Sequence, residues 1–588
     1  MKRLLPLLSF LFAITAGAGQ EYTVLPEFSR DAVGMKTYPA APRLAERAEI
    51  AAAATLRSAA ESVPEELAAI REWNDADRLP LKNGFTRTVG DPIAVRIDGA
   101  VAAKSGAVSL ARGLVSASDH GTLIWSGAVR VEGAYQVRLH LSNVTLPEGA
   151  TLWVYGKGQS PIGFGKEMLY QGSLYAPAAN GPVVYLEVEA PSPKTASDGV
   201  SFEIRDLIEI VANEGLRTFT PQPNDSPSCL IDATCVSTAT YDSIDAARGA
   251  IAQLQYVKGS GSFVCTGGLI NDKIPSPSFI PYLLTANHCF DTQASASSLQ
   301  AFFDYKTTSC SAAFPPFPAS VNGSTLLATG TGSDFTFVQL NSVPAGRFFL
   351  GWTTAAQPDG TKLHRVSHPF PDSFSVPSPQ AYNNGNVNSV FGTCTNRPLA
   401  NYLYSTGGQG GTYGGSSGSP VLINGGIVVG QLFGACGSDP GAGCDHVNNA
   451  SVDGRFSSTF TSIEQYINVT SGPSCTESST ALCLNNSRFR VQATYQTGAG
   501  QTGSANVVKL TSETGYLWFF SSTNVEVVIK VLDACGINGY WVFAAGLTDV
   551  RVVLTVTDTK TGAVKTYTNP LGTPFAPIQD TSAFSTCP

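Results

Sequence analysis

The run Gly414-Gly415-Ser416-Ser417-Gly418-Ser419-Pro420 holds one serine, Ser417, between glycines in a tight turn. Glycine at 415 and 418 lets the backbone bend sharply and approach a substrate carbonyl closely. Such a turn can aim the amides of Gly415 and Ser417 at one point, where a tetrahedral oxyanion would develop. A Gly/Ser run by itself is ordinary loop material, so chemistry here requires a base and an orienting carboxylate from elsewhere. Leu284-Thr285-Ala286-Asn287-His288-Cys289 offers the base: His288 follows an apolar run, and Cys265 is available to bridge Cys289 and pin the turn. Gly332-Ser333-Asp334-Phe335-Thr336-Phe337 offers the carboxylate, with Asp334 opening a strand of alternating apolar residues. Serine is a poor nucleophile at its own pKa, so His288 must remove its proton as the new bond forms. Imidazole titrates near neutrality and can return that proton to a leaving amine. Asp334 would hold the ring in one tautomer and stabilise the imidazolium. This chemistry calls for no cofactor and no metal.

The elements that position these residues are mostly strands. From about 224 to 472, strand-like runs and glycine turns dominate, and a helical pattern appears only over Thr461 to Ile467. That pattern suits a β-barrel with a short terminal helix. Upstream, Leu44, Ala48, Ala52, Leu56, Ala59 and Val63 recur at helical spacing, so a helical start is expected from Arg43 to about Asn74. Ser62-Val63-Pro64-Glu65 reads as a capping box opening a second helix through Trp73. From about residue 121 the period changes to two, and Val137, Leu139, Leu141, Leu152–Tyr155 and Val183–Val188 argue a β-sandwich. Thr218 to Ser228 is a linker by composition. After a break at Thr470–Pro473, alternation over Phe489–Tyr495, Val525–Val531 and Val552–Val556 predicts a further small β-sandwich. Its Trp518, Phe519, Trp541 and Phe543 read as core aromatics rather than a binding surface.

At 588 residues the chain needs several domains, and 43% hydrophobic with 14% charged residues fits globular material with sizeable cores. A net charge of −8 offers no field for nucleic acid or anionic membrane. Lys2 and Arg3, the apolar run Leu4 to Thr15 and the small residues Ala16-Gly17-Ala18 have the pattern of a secretion signal cleaved after Ala18. That run is too short for a stable membrane anchor. All 12 cysteines lie at or beyond Cys229, none forms a Cys-x-x-Cys, and an exported chain with an even count favours disulfides. The expected organisation is a signal peptide (1–18), a cysteine-free propeptide (19–223), a stapled catalytic domain (224–472) and a C-terminal module (473–588). In the last, Cys475–Cys483 and Cys535–Cys587 are the suggested pairs.

The order His, Asp, Ser is that of the chymotrypsin arrangement. With SCLIDATC (228–235), VCTGGLI (264–270), LLTANHC (283–289), SDFTFVQL (333–340), GGSSGSP (414–420) and GQLFGAC (430–436), the 224–472 region resembles the lysyl-endopeptidase branch of chymotrypsin-like serine proteases, a bacterial secreted group. The resemblance implies a mainly β, double-barrel fold and a secreted serine endopeptidase, exported through the periplasm and matured by proteolysis. It implies a monomer acting on protein or peptide substrates, with its own propeptide as a partner. His288, Asp334 and Ser417 take the catalytic roles, and Gly415 and Ser417 form the oxyanion hole. It also implies Cys265–Cys289, Cys235–Cys310, and Cys229 with Cys436 or Cys444, Cys394 taking the one left. Ordinary zymogens of this fold carry an acid just before the nucleophile; here that position is the uncharged Ser416, so activation by an N-terminal ion pair is not expected.

The pocket follows from the same resemblance. Leu432, Phe433 and Gly434 would form the strand along which substrate lies. Counting back along Asp453-Gly454-Arg455-Phe456 places Ser451 at the pocket position held by aspartate in the lysyl group; a two-residue slip places Asp453 there instead. With Ser451 in the pocket a lysine ammonium would be buried unpaired, and an uncharged side chain would be preferred. His120, His140, His364, His368 and His446 read as structural, the 364–368 pair in a loop. Asp439 and Asp445 match no calcium-binding spacing. The rival reading is a catalytically inactive homologue that acts as a secreted binding protein.

Overall fold

The computed structural model describes residues 21–586 apart from 37, 48–54, 58–63, 77–79, 98–107, 111–112, 118–121, 133, 192–198, 212–228, 274–278, 314–317, 319, 371–378, 390, 392–396, 442, 469–474, 536, 538, 561–562 and 585. The signal-peptide reading, His120 and the Thr218–Ser228 linker lie outside these residues. The structure is mainly β, as a chain rich in β-branched and aromatic runs dictates.

Two barrels lie at its centre. The first curls from the antiparallel strands Ile251–Lys258, Gly261–Leu269, Tyr282–Thr285, Ser324–Gly330 and Phe335–Leu340, with Gln300–Phe303 on the Ile251–Lys258 edge. The second is closed: Lys362–Ser367, Ala381–Val387, Tyr402–Thr406, Asn449–Arg455, Ile427–Gly437 and Pro420–Ile423 pair in that circular order. Phe456–Ile467 forms the terminal helix, starting five residues before the expected Thr461. Phe456, Phe460, Ile463 and Ile467 make one buried stripe at helical spacing, and Trp352 packs on the first two rings. Each such side chain contributes about 1.5–3 kcal/mol of burial.

The cysteine-free N-terminal part differs from the sequence reading in two places. Pro64–Asp75 is a helix, but Thr55–Arg57 is a strand pairing parallel to Ala128–Arg130. Residues 43–47 form a turn, the amides of Arg43 and Ala45 donating to the buried Glu187 carboxylate at 2.8 and 2.6 Å, and the rest of the expected helix at 48–54 and 58–63 lies outside the described residues. Strand structure also begins well before residue 121, in the 17-residue strand Leu81–Ile97. Leu81, Phe85, Val89, Ile93, Val95 and Ile97 are buried apolar side chains along it. One sheet (Thr122–Arg130, Val183–Pro191, Thr151–Gly156) faces a second (Gln136–Thr145, Val200–Ile210, Leu81–Ile97) across Trp125, Leu139, Leu186 and Phe202.

The second of these sheets does not end within the N-terminal part. Leu81–Phe85 pairs antiparallel with Val264–Gly261, so the N-terminal part and the first barrel share one continuous sheet. Further upstream, Thr23–Val24 pairs with Trp352–Thr353 and Glu27–Ser29 with Arg347–Phe349. The C-terminal module is two five-stranded sheets around Phe489, Val491, Leu517, Ile529, Val542 and Leu554. Phe519 lies in that core, whereas Trp518, Trp541 and Phe543 stay half-exposed. Among the described residues no helix is long and apolar enough to cross a membrane.

At the shared sheet, a Cβ on Gly84 would stand 2.5 Å from the Glu209 carbonyl and 3.1 Å from Ser262 Cβ. Gly84→Val should therefore push the Val200–Ile210 and Gly261–Leu269 strands apart. Denaturant unfolding of the full chain should show a loss of about 1–3 kcal/mol.

Candidate active site

The three expected catalytic residues occupy strand ends. His288 follows Tyr282–Thr285, Asp334 precedes Phe335–Leu340, and Thr285 pairs with Thr336, so one antiparallel pair sets the two side by side. The Asp334 carboxylate accepts from the His288 backbone N–H at 2.9 Å and from Nδ1–H at 2.7 Å. Asp334 is nearly buried and adopts φ +53°, a conformation side chains rarely occupy and one that clusters at functional sites. Its carbonyl accepts the Asn287 amide at 3.1 Å, which closes the loop on itself. With Nδ1 holding the proton, Nε2 carries the lone pair; it is buried and makes no hydrogen bond.

Ser417 comes from the other barrel, just before Pro420–Ile423. Gly415 and Gly418 sit at φ +91° and +80°, so the turn folds in the left-handed region that glycine tolerates. Among the described residues the amides of Gly415 and Ser417 donate to no acceptor, leaving two N–H groups of one turn open. A residue the sequence reading did not single out ties this turn to the histidine. Thr266, fully buried, donates its amide to the Ser417 carbonyl at 2.8 Å and its hydroxyl to the Gly415 carbonyl at 2.8 Å. The same hydroxyl accepts the His368 amide at 3.1 Å, and the Thr266 carbonyl accepts from Thr285 at 2.8 Å. Its one local signal was its place beside Cys265, whose disulfide to Cys289 holds the residue after His288. Cys265, His288 and Cys289 put nitrogen and sulfur donors within 4.8 Å, but the two sulfurs are bonded to each other and offer no thiolate.

The other disulfides among the described residues are Cys235–Cys310, Cys475–Cys483 and Cys229–Cys444. Cys229 thus takes Cys444 and not Cys436. Cys436 and Cys535 are also disulfide-bonded; Cys394 and Cys587 lie outside the described residues.

The pocket residues separate into two groups. Phe433, Gly434 and Ser451 are partly exposed, and Ser451 pairs across strands with Ala435 and Ser405. Leu432 is buried, its amide and carbonyl taken up by Ser419 and Gly418 of the serine turn. Asp453 is fully buried, its Oδ1 ion-paired with Arg365 at 2.8 Å and its Oδ2 buried without a hydrogen-bond partner among the described residues. Burial pushes the Asp453 carboxyl above its usual range, and the Arg365 guanidinium pulls it back. Ser416 is also fully buried; its hydroxyl pairs with Ser367 at 3.0 Å.

The histidines read as structural find specific partners. His364 belongs to the strand Lys362–Ser367, not to a loop; it stacks on Tyr241 at 4.1 Å and contacts the Tyr382 hydroxyl at 2.6 Å. Burial lowers its pKa to about 4. His446 Nε2 contacts the Gly410 carbonyl. His140 bridges Asp206 (2.9 Å) and Ser173 (2.7 Å), forming a second Ser–His–Asp chain from three strand neighbours. There the Ser173 amide is already donated to Tyr170, unlike that of Ser417, so no open oxyanion donor stands at the serine.

Residues 223–453 match the family model "Lysyl endopeptidase, C-terminal domain". Over 358 residues the chain is 26% identical to the lysyl endopeptidase of Pseudomonas aeruginosa, covering 58% of this chain and 73% of that protein. The chain is thus similar to lysyl endopeptidases, and its two barrels are mainly β. The likeness supports a serine peptidase. Secreted RxLR effector protein 73 of Plasmopara viticola is 30% identical over 200 residues, covering 32% of this chain and 45% of that one. A solved structure described as "Structure of GrC" is 15% identical with a TM-score of 0.28, covering 38% of this chain and 95% of that one.

Two substitutions follow from the geometry. Thr266→Val leaves the Gly415 carbonyl and the His368 amide without their hydroxyl partner. It should lower thermal stability by about 1–3 kcal/mol and reduce turnover of any substrate, measured on the same preparation. Arg365→Met strands the Asp453 carboxylate in the core and should cost roughly 3–5 kcal/mol in a melting experiment.

Proposed function

We propose that the protein is a secreted serine endopeptidase that cuts peptide bonds through an acyl-enzyme on Ser417. The observation that carries this reading is the grip of one carboxylate, Asp334, on both the backbone and Nδ1 of His288, with Nε2 left unpartnered and buried. Nε2 takes the Ser417 proton as the oxygen attacks the carbonyl carbon, and passes it to the leaving amine when the C–N bond breaks. The amides of Gly415 and Ser417 receive the oxyanion. Water, deprotonated by the same nitrogen, then hydrolyses the ester and frees Ser417. A fluorophosphonate probe should label matured protein at Ser417 and leave Ser417→Ala unlabelled. Asp334→Asn should lower turnover roughly 10^4-fold while the fold persists. Absence of any labelling would favour the inactive, binding homologue.

For specificity the reading is an uncharged side chain beside Ser451. It is supported by Asp453 being fully buried and ion-paired with Arg365, whereas Ser451 is partly exposed. Cleavage profiling on a peptide library should show cuts after uncharged residues; strict cutting after lysine would overturn this.

The chain is proposed to mature from a signal peptide (1–18), a propeptide (19–223), the catalytic region (224–472) and a C-terminal module (473–588). The propeptide is proposed to template folding and cover the site. Support comes from Leu81, which packs with Val264 and Phe370 and stands against Gly414, three residues before the nucleophile. Ser416, buried on Ser367, leaves no acid to receive a new N-terminus. Residues 224–472 expressed alone should yield little active enzyme; full activity from that fragment would remove the folding role.

A further inference from the structure

Beside the site stands a cation that the proposed reaction does not use. Arg397 lies with its guanidinium 4.3 Å over the ring of Phe433 and 5.6 Å from that of Tyr402. Phe433 and Tyr402 meet edge to face at 5.9 Å, and Phe433 meets the His288 ring edge to face at 5.8 Å. Among the described residues the Arg397 side chain has no hydrogen bond and no carboxylate, although it is only half-buried. The positive charge is therefore held by ring faces alone, which orient a guanidinium without neutralising it. Most other arginines near the barrels are engaged: Arg365 by Asp453, Arg347 by Asp304, Arg248 by Asp245.

The geometry points to an acidic-side-chain subsite at Arg397. The inference rests on the endopeptidase reading. A peptide lying along Phe433–Gly434 with its cut residue beside Ser451 passes its preceding residues over Phe433, where Arg397 is stacked. A Glu or Asp there would complete a charge-assisted pair in a fork geometry the stacked guanidinium already presents. Because the site is half-open, the preference should be modest and should shrink with salt.

The test compares matched fluorogenic peptides, cut after one uncharged residue, carrying Glu or Gln at the second, third or fourth position before the bond. Matured wild-type protein should favour Glu at one position by about threefold to fivefold in kcat/KM at low salt. Arg397→Gln should remove that preference while still cutting the Gln peptide, and Arg397→Lys should keep part of it. Equal cleavage of Glu and Gln peptides by wild type overturns the subsite alone. An equal fall of Arg397→Gln on both peptides also overturns it, assigning Arg397 to packing on Phe433. If no peptide is cut, or if Ser417→Ala cuts as well as wild type, the endopeptidase reading itself fails.

Discussion

The site depends on one buried threonine that joins two barrels. His288 and Asp334 belong to one barrel and Ser417 to the other, so neither barrel alone can hold the three in register. Thr266 spans the gap with three hydrogen bonds, two of them to the carbonyls of Gly415 and Ser417, and a fourth ties it to Thr285 within its own barrel. Carbonyls held on that side turn the amides of the same loop toward the open side. In a dry interior such bonds cannot be replaced by water, which makes their geometry unforgiving. Gln431, reaching from the second barrel to the Ser333 carbonyl at 2.6 Å, makes a second joint beside Asp334.

The N-terminal part meets the barrel region through backbone pairing. Three of its segments, Thr23–Val24, Glu27–Ser29 and Leu81–Phe85, pair with strands of the barrel region. Without them those edges present unpaired N–H and C=O groups, which are costly when buried and adhesive when exposed. The buried Arg138 adds a polar tie, donating to the Ser298 carbonyl at 2.7 Å. Such an arrangement joins the N-terminal part to the barrel region through backbone hydrogen bonds, with side chains such as Leu81 packing beside them.

Charge placement around the site follows one logic. Three buried charges meet an opposite or orienting partner: Asp453 meets Arg365, Glu209 meets Arg87, and Asp334 meets the imidazole it orients. Arg397 departs from this pattern at a half-exposed position, where the penalty for an unmatched cation is small.

Much of the candidate site was legible in the residues, because each candidate catalytic side chain sits in a local signature. Ser417 lies in a glycine turn, His288 between an apolar strand and a cysteine, and Asp334 at a strand start. Alternation likewise marked the strands of the C-terminal module, since period two records which face is buried. The helical reading of residues 43–63 went astray where Thr55–Arg57 found a sheet edge and Glu187 captured the amides of 43 and 45. Tertiary structure alone decided the partners: Arg365 for Asp453 and Cys444 for Cys229, 88 and 215 positions apart. It alone also revealed Thr266 as the joint and Arg397 on Phe433. Periodicity and spacing encode burial and local turns, but not which distant strand will lie alongside, and the identity of a buried charge's partner is a property of that meeting.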